Sequence, residues 1–221
     1  MPKSTNKSAP PPLTRKTFRE AVSHLSGVDP DLARVVSRFG PPPLRKREPG
    51  FSTLVLIILE QQVSLASARA TFERLKTSCN PLTPERFLKF TDPRLKEVGF
   101  SRQKTLYCRE LSREILRGNL DFAKLKRLDD PEAKARLLEL KGVGNWTADI
   151  YLMTAMMRPD IWPSGDLALA AAAQEVKRLP SRPPPEELDE IAKPWRPWRT
   201  VAARILWHHY LSKGNGGIND V

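Results

Sequence analysis

The stretch Leu138-Glu-Leu-Lys-Gly-Val-Gly-Asn-Trp-Thr-Ala constrains the fold more than any other. Before its glycines, Ala133, Leu137, Leu138 and Leu140 stand among charged residues; after them, Trp146, Ile150, Met153 and Met157 follow helical spacing. Two helices are therefore joined by Lys141-Gly-Val-Gly144 alone. Gly142 and Gly144 permit positive φ and place no side chain between the backbone and whatever approaches it. The amides around Gly144 and Asn145 open the second helix, where N–H groups without helical partners and the positive end of the helix dipole suit a phosphate. This reads as a helix-hairpin-helix that grips a nucleic-acid backbone. The plainer reading is an ordinary tight connection between two helices.

Charge favours the first reading. Lys and Arg number 37 against 25 Asp and Glu, a formal net charge of +12 spread along the chain, and a polyanionic partner is the simplest explanation. A basic protein with no such partner remains the alternative. The only cysteines, Cys79 and Cys108, are too few for a structural zinc or a four-cysteine iron–sulfur cluster and fit a reducing compartment. The longest apolar run, Leu54 to Leu59, is much too short to span a bilayer, so no membrane association and no secretory signal are expected.

Helices are expected throughout. Phe18, Ala21, Val22 and Leu25, then Leu32, Val35, Val36 and Phe39, give two short ones split by Gly27-Val-Asp-Pro30. The run Phe51 to Leu59 is rich in β-branched residues and has the composition of a buried strand. The helical spacing of Leu54, Ile58, Gln61 and Leu65, with no partner strand elsewhere, favours helices on both sides of Gln61-Gln-Val-Ser64. Thr83-Pro84 and Asp92-Pro93 begin two more, and Leu106 to Leu116 another. The fold class is therefore all-α. Residues 1–15 are read as a flexible basic tail, residues 16–50 with 159–221 as one helical lobe, residues 51–158 as a second that ends in the hairpin, and the last residues from Gly214 as a mobile end. An active-site cleft is expected between the two lobes.

About twenty residues beyond the hairpin, Trp162-Pro-Ser-Gly-Asp166 delivers an aspartate immediately before Leu167-Ala-Leu-Ala-Ala-Ala-Ala, a strong helix former. Asp166 is on its face an N-cap. Together, however, Leu-x-Gly-Val-Gly-x-Trp-Thr-Ala and the downstream Pro-x-Gly-Asp resemble the helix-hairpin-helix DNA glycosylase superfamily, especially its alkyl-base branch of 3-methyladenine DNA glycosylase II enzymes. Gly99-Phe-Ser-Arg-Gln-Lys104 and Trp198-Arg-Thr-Val-Ala-x-x-x-x-Trp207 extend the similarity over roughly Phe51 to Tyr210. The resemblance is to a compact form, because the residues before Phe51 are too few for the N-terminal β-containing domain of the larger members.

The resemblance implies roles. Asp166 would be the catalytic carboxylate. Trp146, Trp207 and Gln61 would line the base pocket. Gln62 stands where the family places a wedge that fills the gap left by an extruded nucleotide, although the wedge is often apolar and two surface glutamines are the alternative. Lys141, Gly142, Val143, Gly144, Asn145 and Thr147 would bind DNA through the hairpin, with Arg102 and Lys104 as phosphate contacts or plain solvated cations. The main-chain carbonyls of Leu138, Leu140 and Val143 occupy the positions that hold a monovalent cation, Na+ or K+, in such hairpins. No other cofactor is implied, and in particular no iron–sulfur cluster. Damaged double-stranded DNA is the implied partner of a monomeric enzyme, located in the bacterial cytoplasm with the nucleoid or in a eukaryotic nucleus.

Residue chemistry supports that assignment. Breaking an N-glycosidic bond develops positive charge at the anomeric carbon, which a fixed carboxylate such as Asp166 stabilises while orienting or deprotonating water. The target base must first leave the stack. Relatives that also nick the strand carry a lysine two positions after the second hairpin glycine, where this chain has Trp146, so hydrolysis without a lyase step is expected. A cationic purine is both an activated leaving group and a ring attracted to tryptophan faces. Trp162, Trp195 and Trp198 are read as core residues. A helix-hairpin-helix protein that binds DNA without catalysis, or a glycosylase for another lesion, are the rival readings.

Overall fold

In the computed structural model, residues 9–213 are described and all regular structure among them is helical. Thirteen α-helices follow in order: α1 (Arg15–Val28), α2 (Pro30–Phe39), α3 (Phe51–Glu60), α4 (Leu65–Ser78), α5 (Pro84–Leu88), α6 (Asp92–Glu97), α7 (Arg102–Leu116), α8 (Phe122–Arg127), α9 (Asp130–Leu138), α10 (Asn145–Thr154), α11 (Leu167–Lys177), α12 (Pro185–Ala192) and α13 (Arg199–Lys213). The chain divides into two compact units, one built on Arg47–Met156 and the other on Pro10–Lys46 with the residues from Met157 onward.

The unit of residues 47–156 is organised on α3. Leu54, Val55, Ile57, Ile58 and Leu59 are all buried, so this helix is apolar on every side, and its strand-like composition reflects burial rather than β pairing. Phe87 packs between Phe51 and Phe100, tying α5 and the entry to α7 to that core. The unit begins before Arg47 instead of before Phe51. The reason is local: Arg47 forms a two-pronged ion pair with Glu60 at 2.8 and 2.9 Å, and its amide donates to the Thr154 carbonyl. Helix α8 escapes sequence patterning because, unlike the comparably short α5 and α6, it has no proline in its first turn; it starts where Asp121 caps the amides of Ala123 and Lys124.

In the other unit, α13 packs along α11 and α2, with Ala202, Ala203, Ala172 and Ala173 at 0% exposure. Small side chains at these positions let helices approach closely. Asp29 links three elements: it caps α2, accepts the Trp195 indole N–H at 2.7 Å and pairs with Lys177 on α11 at 2.6 Å. Burial alone would raise the Asp29 carboxyl, but the bonds from Lys177 and Trp195 outweigh it and hold the group below the usual carboxylate range. Trp162 and Trp195 are buried against each other at 5.5 Å, as expected of core residues, whereas Trp198 is half-buried at the start of α13.

The tail expected to run to Arg15 is anchored over its last residues. Leu13 is buried, its amide donates to the Met157 carbonyl, and Arg158 donates to the Pro10 carbonyl. Thr14 and Thr17 then form a reciprocal capping box that starts α1. The remainder of that tail, residues 1–8, and the end expected to be mobile from Gly214 lie outside the described residues.

Candidate active site

The hairpin lies where the glycines place it, between α9 and α10. Lys134 on α9 pairs with the buried Asp149 on α10 at 2.8 Å, closing the two helices together. The two glycines differ. Gly142 has φ 86 and lies face-on to Tyr107, so that a Cβ would sit 2.2 Å from the phenol ring. Gly144 has an ordinary extended backbone, φ −94 and ψ −177, with nothing near its missing side chain, so only Gly142 uses the freedom expected of both. What Gly144 contributes is access. It is the N-cap of α10 and forms no side-chain cap, leaving the first-turn amides uncovered by any side chain from that position. Lys141, Gly144 and Asn145 are exposed around it.

Other residues assigned to DNA or base also make contacts within the unit. The Gln61 side-chain amide donates to the Gly142 carbonyl and to Thr147 Oγ1, both at 2.9 Å, so it braces the loop from inside the unit. Thr147 and Val143 are buried. Lys104 Nζ donates to the Leu59 carbonyl at 2.7 Å, satisfying a last-turn carbonyl of α3. Burial pushes its ammonium below the usual lysine value. Arg102 is exposed in the first turn of α7. Gln62 is exposed with φ 57, a left-handed conformation that costs a non-glycine residue roughly 1–2 kcal/mol. Strain of that size at the tip of an exposed turn is the kind found at ligand-contacting positions.

Tyr107 was not foreseen. Its ring supports Gly142 while its hydroxyl accepts from Gln103 at 2.6 Å, and no local pattern in α7 foreshadows a contact to a loop some thirty-five residues away.

Asp166 belongs to the other unit. The loop leading to it is pinned to the start of α13: Asp160 pairs with Arg196 and Arg199 at 2.8–2.9 Å, and Thr200 Oγ1 donates to the Arg158 carbonyl and accepts from the Ile161 amide. A turn closed by the Asp166 amide on the Pro163 carbonyl then presents the aspartate. Asp166 does cap α11, with Oδ1 accepting the Leu169 amide at 2.7 Å, and the same oxygen accepts the Trp207 indole N–H at 3.1 Å. Asp166, Trp207 and, in its own unit, Trp146 are all half-buried, intermediate between core and surface. A half-buried carboxylate oriented by two N–H groups can face a developing cation without rearranging.

Residues 55–197 match the model of the HhH-GPD superfamily of base excision DNA repair proteins. The chain belongs to this superfamily. Within it, the chain is 29% identical over 199 residues to DNA-3-methyladenine glycosylase 1 of Schizosaccharomyces pombe, covering 86% of this chain and 87% of that one. It is 27% identical to the alkylbase DNA glycosidase-like protein mag2 of the same yeast, covering 86% and 92% of the two chains. Among solved structures, the S. pombe 3-methyladenine DNA glycosylase in complex with abasic DNA superimposes with a TM-score of 0.79 at 27% identity, over 85% of this chain and 95% of that one. The superfamily read from the hairpin and the Pro-x-Gly-Asp motif is thus the one found, and its all-helical fold is the observed fold.

Proposed function

We propose that this superfamily member is a monofunctional DNA glycosylase that extrudes alkylated, cationic purines from damaged double-stranded DNA and hydrolyses their N-glycosidic bonds, acting as a monomer wherever the cell keeps its DNA. The observation that carries the reading is Asp166 held by the Leu169 amide and the Trp207 indole. Asp29 also caps a helix and accepts an indole N–H, but it is buried, whereas Asp166 is half-buried and keeps access to a ligand. As the glycosidic bond lengthens, the electron pair leaves with the base, positive charge grows on the sugar, and the fixed negative charge of Asp166 lowers the energy of that state more than that of the neutral sugar. Water then adds at the anomeric carbon and loses a proton to the carboxylate or to solvent. Trp146, without an amine, offers no route to a Schiff base, so the strand stays intact. Similarity to proteins named as 3-methyladenine and alkylbase glycosylases supports the substrate class.

The hairpin carbonyls are compatible with a monovalent cation. Leu140 O accepts the Val143 amide at 3.0 Å, which occupies one of its two lone pairs, and the carbonyls of Leu138, Leu140 and Val143 would hold Na+ or K+ as neutral oxygen donors. Such an ion would stiffen the loop.

Incubating the protein with alkylated and undamaged duplexes and analysing free bases tests the reading. Methylated purines are expected in solution, with strands that break only after alkali. Binding without any released base would leave a DNA-binding protein only, and strand breaks without alkali would overturn the monofunctional assignment. Trp146→Ala is expected to slow release of cationic bases about tenfold or more, since a desolvated cation over an indole is worth roughly 2 kcal/mol, while nonspecific duplex affinity changes little. Equal losses in both would make Trp146 a packing residue.

A further inference from the structure

We propose that Trp207 is a positioning residue for the Asp166 carboxylate, acting through its indole N–H, beyond any part its ring takes in holding a base. The inference rests on the reading of Asp166 as the reacting carboxylate. An aspartate that only caps a helix is free to turn about its last side-chain torsion, which is broad and nearly two-fold, and either oxygen then serves the cap equally well. Here a second donor on the same oxygen narrows the range of that torsion. The Leu169 amide comes from α11 and the Trp207 N–H from α13, and both end on Oδ1, at 2.7 and 3.1 Å. Two donors on two helices define the plane of the carboxylate as well as its position.

The indole is itself well placed to act as a rigid arm. Its neighbours along α13, Ile205 and Leu206, are fully buried, as are Val201, Ala202 and Ala203 a turn or two earlier, so the helix cannot slide. Indole nitrogen is a donor only, with no tautomer or rotor that would let it accept instead. A fixed donor at this point keeps the negative charge aimed before substrate arrives, and the reaction then needs no reorientation of the carboxylate.

Trp207→Phe keeps an aromatic face and loses the donor. The single-turnover rate of base release is expected to fall about ten- to a hundredfold, the range for losing a hydrogen bond to a charged group, while affinity for damaged duplex stays within about twofold. Should phenylalanine lower the melting temperature enough to unfold the protein, benzothienylalanine, which replaces the N–H by sulfur at nearly constant shape, is expected to give the same result. A parental rate in the folded variant would overturn the proposal, as would a loss carried by affinity with the rate unchanged, which would make Trp207 a wall of the base site alone. Asp166→Asn measured alongside separates the two levels. If that variant keeps the parental rate, the functional reading fails; if it is inactive and Trp207→Phe is normal, only the positioning role fails.

Discussion

Asp166→Asn is expected to leave a folded protein that no longer releases bases at a useful rate. Asparagine caps a helix as well as aspartate does, so the bond to the Leu169 amide survives and the melting temperature should change little. The charge is gone, and removing a group of this kind costs on the order of a hundred- to a thousandfold in rate. Affinity for damaged duplex should hold or tighten, because a carboxylate close to phosphates repels them. Melting temperature, affinity and released base measured on one preparation decide the matter. A well-folded variant that excises at near the parental rate would reduce Asp166 to a cap.

Gly142→Ala is expected to have the second large effect, and by an unrelated route. Alanine at φ 86 is strained by roughly 1–2 kcal/mol before any contact is counted, and its Cβ would overlap the Tyr107 ring at 2.2 Å. Either the loop or Tyr107 must move, and the carbonyl held by Gln61 moves with the loop. The variant should melt several degrees lower and bind duplex at least tenfold more weakly. Gly144→Ala is the control: with an extended backbone and open space for the new methyl group, it should lose only the difference between a glycine and an alanine N-cap, about 1 kcal/mol or less, and melt well above Gly142→Ala. Weakened DNA binding in that second variant, with the fold intact, would mark the space above Gly144 as the place where a phosphate sits. Equal melting temperatures for both variants would contradict the distinction drawn between the two glycines.

Much of the helical layout was legible because its signals are local. Thr83 and Asp166 cap the helices they appear to cap, and the spacing of Leu54 and Ile58 outweighs their strand-like neighbours. Motif order carried the superfamily. What escaped depends on residues far apart in sequence. Gly142 and Gly144 are indistinguishable until Tyr107 lies against one of them. The bond from Lys104 to the end of α3 and the bonds from Gln61 to the hairpin join residues far apart in sequence and leave no local signal. Leu13 was lost among prolines and lysines because a single apolar residue makes no period, yet it is enough to anchor the chain ahead of α1.

The double duty of Asp166 bears on how such a protein can change over time. Aspartate and asparagine codons differ by one base, and the replacement keeps the cap of α11, so on the proposed mechanism inactivation is a single step that leaves stability nearly untouched. On that mechanism a lineage can shed chemistry and retain the folded scaffold without crossing an unfolded intermediate. Gly142 offers no comparable exit, because each substitution there meets Tyr107 first. Duplicated copies of this fold should accordingly drift at the carboxylate sooner than at the hairpin.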